Sequence, residues 1–140
     1  MKMKVFIDTD VILDLLAKRE PFFNDAARLF TLADKQELHV HVSSLCFSNL
    51  SYILVKQHSL VEVRKILARL KVIVSVLSVD DRVIELALNS DFKDFEDAIQ
   101  YYCAIENGVK VLVTRNLKDF KLANIPVVSP KEFLKGQTEN

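Results

Sequence analysis

The strongest constraint on the fold is an alternation that runs the length of the chain: short apolar runs of strand length recur between segments with apolar residues at helical spacing. Val5-Phe6-Ile7 is a buried strand ending on Asp8. Apolar residues then recur at helical spacing from Val11 to Lys18 and from Asn24 to Lys35, with Pro21 as the break between them. Leu38 to Val42 alternates as a strand does, and Ser43 or Ser44 caps a helix running to about Gln57. Val63, Ile66, Leu67 and Leu70 share one face of the next helix, and the β-branched stretch Val72 to Leu77 predicts a strand. Asp80 or Asp81 caps a helix ending near Asn89. Asp94 starts another that runs to Asn107, where Gly108 supplies a left-handed stop. Val109 to Val113 is a strand, Thr114 to Lys118 a polar loop, Ile125 to Val128 a last strand, and Pro130 opens a terminal helical turn. Strands that alternate with helices pair in parallel and carry helices on both faces, so the expected class is α/β with a mainly parallel sheet. No shift in composition divides the chain, which predicts one domain over 1–140, with a disordered tail at the last few residues.

Composition narrows the functional classes. A chain of 140 residues, half of it hydrophobic, builds a core without disulfide or metal staples. The apolar stretch Ala98 to Ile105 is interrupted by Gln100, and no run is long enough to span a bilayer. Only the apolar run Val5-Phe6-Ile7 precedes Asp8, too little for a signal-peptide core, so the cytoplasm is the expected location. Cys46 and Cys103 lie in apolar helical stretches, with neither a CxxC nor a Cys/His spacing suited to zinc. They read as reduced, buried thiols. Lys plus Arg equals Asp plus Glu, 19 against 19, so net charge gives no attraction to nucleic acid. Between Lys56 and Lys71, Arg64, Lys65 and Arg69 face a single acid, Glu62, which reads as a solvated helix face or a track for phosphates. His39 and His41 fall on one face of a strand without a third ligand, as an exposed or half-buried edge pair would.

The chemistry lies in the acids. In an open parallel sheet, ligands bind at the carboxyl ends of the strands, near the point where strand order reverses. Asp8 ends a strand directly, and a carboxylate there needs either a capping role or a cation. Asp10 is better placed to cap a helix beginning near Val11, which leaves Asp8 for other work. Asp94 and Asp97 share the first turn of a helix, as a cap pair suited to the helix dipole or, if that turn faces Asp8, as metal ligands. After the strand at Val113, Asn116 and Asp119 each offer an oxygen, and Thr114 a hydroxyl to orient a neighbouring carboxylate; an ordinary Asx turn fits the same residues. Acids converging from distant segments suit a hard cation such as Mg²⁺ or Mn²⁺, which activates water for phosphodiester hydrolysis. Arg19 and Arg115 lie near these loops and are candidate phosphate contacts or solvated surface.

The segments VFIDTDVILDLL, KREPF, SNLSYIL, DFEDAIQYYCA and LVTRNLKDF, in that order and spacing, resemble the PIN domain family, in the branch similar to VapC-type toxins. The resemblance covers nearly the whole chain. It implies a three-layer α/β/α fold with a central parallel sheet of about five strands. It implies Mg²⁺- or Mn²⁺-dependent cleavage of RNA, by the toxin of a toxin–antitoxin pair that is often a homodimer. Asp8 matches the first family acid, Asp97 the acid of the later helix, and Asp94 an extra acid of the DFED form. Asn116 stands where many members have a fourth acid, with Asp119 close behind, and Thr114 matches the loop hydroxyl. Asn49 is the departure, occupying the position of a common glutamate; an amide offers an oxygen without charge. The site therefore looks one carboxylate short, which predicts that Asn49→Glu tightens metal binding. Phe22-Phe23 reads as core or a hydrophobic staple, and in the resemblance could flank an antitoxin groove.

Two competing functions remain at this level. Asp8-Thr9-Asp10 is a DxD after the first strand, as in haloacid-dehalogenase-like phosphatases, although Val11-Ile12 follows and no GDxxxD-like stretch occurs. The other is a PIN-like module that binds RNA or protein without cutting, supported by Asn49.

Overall fold

The computed structural model describes residues 2–138. Its chain order is β1 (Met3–Ile7), α1 (Thr9–Leu16), α2 (Phe23–Asp34), β2 (Leu38–Ser43), α3 (Ser44–Leu54), α4 (Leu60–Ile73), β3 (Ser75–Leu77), α5 (Asp81–Leu88), α6 (Phe95–Glu106), β4 (Leu112–Val113), β5 (Val127–Val128) and α7 (Pro130–Thr138). A 3-10 turn, Leu117–Phe120, follows β4. The five strands form one sheet in the order β3-β2-β1-β4-β5, and every pairing is parallel. The expected α/β/α fold with about five strands is what the chain adopts.

Alternation along β1 divides the interior in two. Val5 and Ile7 point into a core with residues of α1, α2, α3, α4 and α7, among them Ile12, Leu29, Leu50, Val63 and Phe133. Phe6 points the other way, into a core with Val83 of α5, Ala98, Ile99 and Cys103 of α6, and Phe120 of the 3-10 turn. The sheet is thus covered on both faces, as parallel sheets require. Cys46 and Cys103 are buried and free, and burial pushes both thiols up to about 12. Among the described residues no helix is long and apolar enough to cross a membrane.

Several boundaries differ from the sequence expectation. Val72 and Ile73, expected in a strand, belong to the last turn of α4. Their β-branched propensity yields to the continuing amphipathic face that buries Val63 and Leu70. The strands expected from Val109 and Ile125 pair only at Leu112–Val113 and Val127–Val128, and the helix expected to reach Gln57 ends at Leu54. The terminal turn is a full helix, and the expected tail falls on residues 139–140, outside the described residues. His39 and His41 are not on an edge, because β2 lies between β1 and β3. His41 is buried, and burial beside His39 and Lys4 lowers its pKa to about 4.

Strand order places the site. The chain moves from β1 outward through β2 to β3, then crosses back to insert β4 on the other side of β1. The order reverses between β1 and β4, where α1 and the 3-10 turn, leading away from the two strands, leave a crevice.

Candidate active site

Asp8 and Thr114 follow β1 and β4 directly and so meet at that crevice. Asp8 is only 5% exposed. Its Oδ1 accepts from the Thr9 amide at 2.8 Å, and its Oδ2 accepts from the Thr114 hydroxyl at 2.9 Å. Asp8, and not Asp10, is therefore the N-cap of α1. The expectation that Asp10 frees Asp8 from capping is wrong on this point, because the helix starts two residues earlier than Val11. Thr114 in turn accepts from the Asn116 amide at 3.0 Å, so one hydroxyl ties the loop after β4 to the first acid.

Asp8 lines a cleft of about 430 Å³, with Thr114 buried behind it, and Thr9, Asp10, Leu13, Asn49, Tyr52, Ile53, Asp94, Glu96, Asp97, Asn116 and Asp119 line the rest. Every acid named from the sequence is present: Asp8, Asp94, Asp97 and Asp119, with Asn49 and Asn116 beside them. Two further carboxylates, Asp10 and Glu96, complete a set of six, and among the described residues no basic side chain lines the cleft. Asp94 caps α6 by accepting from the Asp97 amide at 2.9 Å. The capping role and the cleft position thus coexist, because the first turn of α6 faces the end of β1. The Asn49 amide of α3 donates to Glu96 Oε1 at 2.7 Å.

Crowding of like charges shapes the electrostatics. Burial, and then the charge of Asp10, raises the pKa of Asp8 from 3.8 to about 8, against the opposing hydrogen bond from Thr114. Burial, followed by Asp94 and Asp119, pushes Asp97 up to about 7. Asp10 is raised by burial and held back by the Arg115 guanidinium, and Glu96 is raised by burial and Asp94. Asp10 Oδ1 is buried without a hydrogen-bond partner among the described residues. An orphaned carboxylate oxygen within a set of oxygen donors fits a hard divalent cation, which would satisfy that oxygen and relieve the repulsion. Among the described residues, no three His, Cys, Asp or Glu side chains lie close enough to chelate an ion as they stand, so binding one requires rotation of the carboxylates.

The basic candidates have other places. Arg115 pairs with Asp14 of α1, its Nε 2.6 Å from Oδ2 and its Nη2 3.1 Å from Oδ1. It also stacks on Phe22, 3.8 Å from the ring centroid. Asp14 is only 1% exposed, so Arg115 is committed to a buried charge and is not a free phosphate contact in this arrangement. Arg19 lies beyond the far end of α1 and is exposed, as are Arg64 and Lys65 on α4; none of the three lines the cleft. Phe22, at 39% exposure, is neither core nor a staple but the platform for Arg115.

Three residues escaped the sequence reading. Asp14 sits in the apolar run of α1 and looks like a solvated helix position until its partner 101 residues away is known. Glu96 reads as an ordinary first-turn acid. Gln100 follows Asp97 by one helical turn and donates to Thr9 Oγ1 at 2.8 Å, bracing the start of α1 from α6. A lone amide inside the apolar stretch after Asp97 was the available signal.

Known proteins resemble this chain in sequence and in fold. Ribonuclease VapC1 of Aquifex aeolicus is 28% identical over 138 residues, covering 93% of this chain and 92% of that protein. The DNA-bound VapBC structure from Salmonella typhimurium aligns with a TM-score of 0.68 at 18% identity, over 91% of this chain and 98% of the other. A toxin–antitoxin complex from Klebsiella pneumoniae aligns with a TM-score of 0.67 at 23% identity, over 90% and 97%. VapC20 of Mycobacterium tuberculosis, a sarcin-ricin loop cleaving toxin, aligns with a TM-score of 0.61 at 20% identity, over 77% and 86%. The family model for the PIN domain matches residues 4–118, from β1 through the loop after β4 that together frame the acidic cleft, and the chain belongs to the PIN domain family.

Proposed function

We propose that the cleft binds Mg²⁺ or Mn²⁺ and hydrolyses RNA phosphodiesters, and that the chain is the toxin of a toxin–antitoxin pair. The observation that carries this reading is the cleft of six carboxylates, with no basic lining residue, at the reversal point of the sheet. Such a cleft repels a phosphodiester strongly unless a cation intervenes. A divalent ion bound there would neutralise the acids, lower the pKa of a bound water and polarise the phosphoryl group.

The chain's own groups supply the positioning. Thr9 and Thr114 hold both oxygens of Asp8, so it is a fixed anchor and its rotation costs two hydrogen bonds. Asp97, raised by burial and by the acids around it, lines the same cleft and would add a carboxylate to the ion once it loses its proton. Asp94 holds the first turn of α6 in register, and Asp119 and Asn116 add oxygens from the loop after β4. Tyr52, 71% exposed at the cleft lip, offers an aromatic face to an unpaired base.

The toxin role and the antitoxin partner rest on the relatives, which include VapBC complexes; a homodimer and a cytoplasmic location belong to the same reading. The phosphatase reading loses its support, since the chain belongs to the PIN domain family. The test is incubation of purified protein, freed of any bound antitoxin, with structured RNA and Mn²⁺. Cleavage that vanishes with chelator and in Asp8→Asn is expected. Intact RNA with wild-type protein that binds Mn²⁺ would instead favour a binding module.

A further inference from the structure

The Asn49–Glu96 contact has a cost that its local setting does not explain. Glu96 lies in the first turn of α6, where the helix dipole favours an acid, and dipole stabilisation is satisfied with the side chain in solvent. Asp94 and Asp97 flank it, so repulsion should swing the carboxylate away from the cleft. Immobilising a glutamate side chain also costs rotamer entropy. Yet its Oε1 is held at 2.7 Å by an amide from α3, 47 residues earlier, across the cleft that both residues line. An amide donor fixes a carboxylate without neutralising it, whereas a lysine or arginine at this position would cancel the charge.

Resting on the metal-dependent reading above, we propose that Glu96 is a cation-binding carboxylate of the cleft and that Asn49 is its positioning residue. The charge that Asn49 of α3 does not carry is then supplied from α6, and the site is not one carboxylate short. Asn49→Glu alone no longer adds a useful ligand. It removes the amide donor and sets two carboxylates against each other. Glu96 was hidden in the sequence because its first-turn position already accounts for an acid there, and only the partner on α3 shows that it is turned inward.

The test is Mn²⁺ titration by calorimetry on the full chain, with four variants. Glu96→Gln keeps an acceptor for Asn49 and removes only the charge; it should weaken Mn²⁺ on the order of tenfold or more, the scale seen when a group supporting a metal site is lost. Asn49→Ala, which frees Glu96, should weaken Mn²⁺ several-fold. The double variant Asn49→Glu with Glu96→Gln reverses which helix carries charge and which carries amide, and should recover affinity to within a few-fold of wild type. Asp8→Asn reports on the site as a whole. Wild-type affinity in Glu96→Gln, with binding lost in Asp8→Asn, overturns the role of Glu96 and leaves the metal-dependent reading standing. Wild-type protein that binds no Mn²⁺ overturns both.

Discussion

Asp8 and Thr114 meet almost out of reach of water, with each oxygen of Asp8 in a hydrogen bond, whereas Asp94, Glu96 and Asp119 stand exposed on the opposite rim. The buried side is joined to both core strands at the centre of the sheet and moves only if the sheet does. The rim is carried on a first helical turn and a 3-10 turn, where Asp94 and Glu96 are each held by one hydrogen bond and Asp119 is open to solvent. Rigidity on one side and freedom on the other suit a site that must exclude wrong geometry yet adapt to an incoming ion and a phosphate. The contrast also implies a division of effects: changes on the buried side and at the Asp94 cap should alter stability as well as binding, and a change at Asp119 should alter binding alone.

The largest effect expected from breaking this contrast is at the anchor. Asp8→Asn should abolish Mn²⁺ binding in calorimetry and lower RNA cleavage by at least about a thousandfold, equivalent to roughly 4 kcal/mol of barrier. The same variant should stabilise the metal-free fold at pH 8, since it removes a buried charge. Lower stability there would show that Asp8 is not strained by its neighbours. Thr114→Val keeps the shape and removes the hydroxyl, orphaning Asp8 Oδ2 and the Asn116 amide. It should cost about 1–3 kcal/mol by urea denaturation, and a cost near zero would mean that the loop is not tied to Asp8.

The pH dependence is a smaller effect of unusual sign. Asp8 and Asp97 bind protons more tightly when folded, at about 8 and about 7, than at their ordinary 3.8. Across that window the native state holds more protons than the unfolded chain, so these two groups lower stability as pH rises. The metal-free protein should melt a few degrees lower at pH 8.5 than at pH 5.5, a slope of about that size being ordinary for one or two kcal/mol. Mn²⁺ affinity should rise over the same range, because its ligands must lose their protons. A melting temperature that climbs with pH in metal-free protein, and does so equally in Asp8→Asn, would contradict the raised affinities. The smallest change is expected on the rim: Asp119→Asn should weaken Mn²⁺ a few-fold while leaving stability within about 0.5 kcal/mol.

What could be read from the chain alone follows the same division. Asp8 and Thr114 were legible because they sit at the ends of buried strands, where local pattern and sheet topology agree. Asp94 and Asp97 were legible as a pair, and their capping geometry does not conflict with a place in the cleft. Asp14–Arg115 and Asn49–Glu96 were not, because each joins segments whose approach depends on how helices settle on the sheet. Nothing in the sequence singled out Asp14, and Arg115 read as a phosphate contact or solvated surface. The error at Val72-Ile73 has a different source. β-branched propensity is weak beside a helix face that still has Leu70 to bury.

The hydrogen bond between Thr114 and Asp8 spans 106 residues, and β4, which brings Thr114 to it, inserts beside β1 only after the chain has crossed back over the sheet. On a chain growing from its N-terminus, Asp8, the α3 amide and the first turn of α6 all emerge before β4. Long-range pairing of this kind comes late, since its loop-closure entropy must be met before the contact forms. Synthesis therefore carries its own delay: the cleft is complete only when nearly all of the PIN domain has been translated.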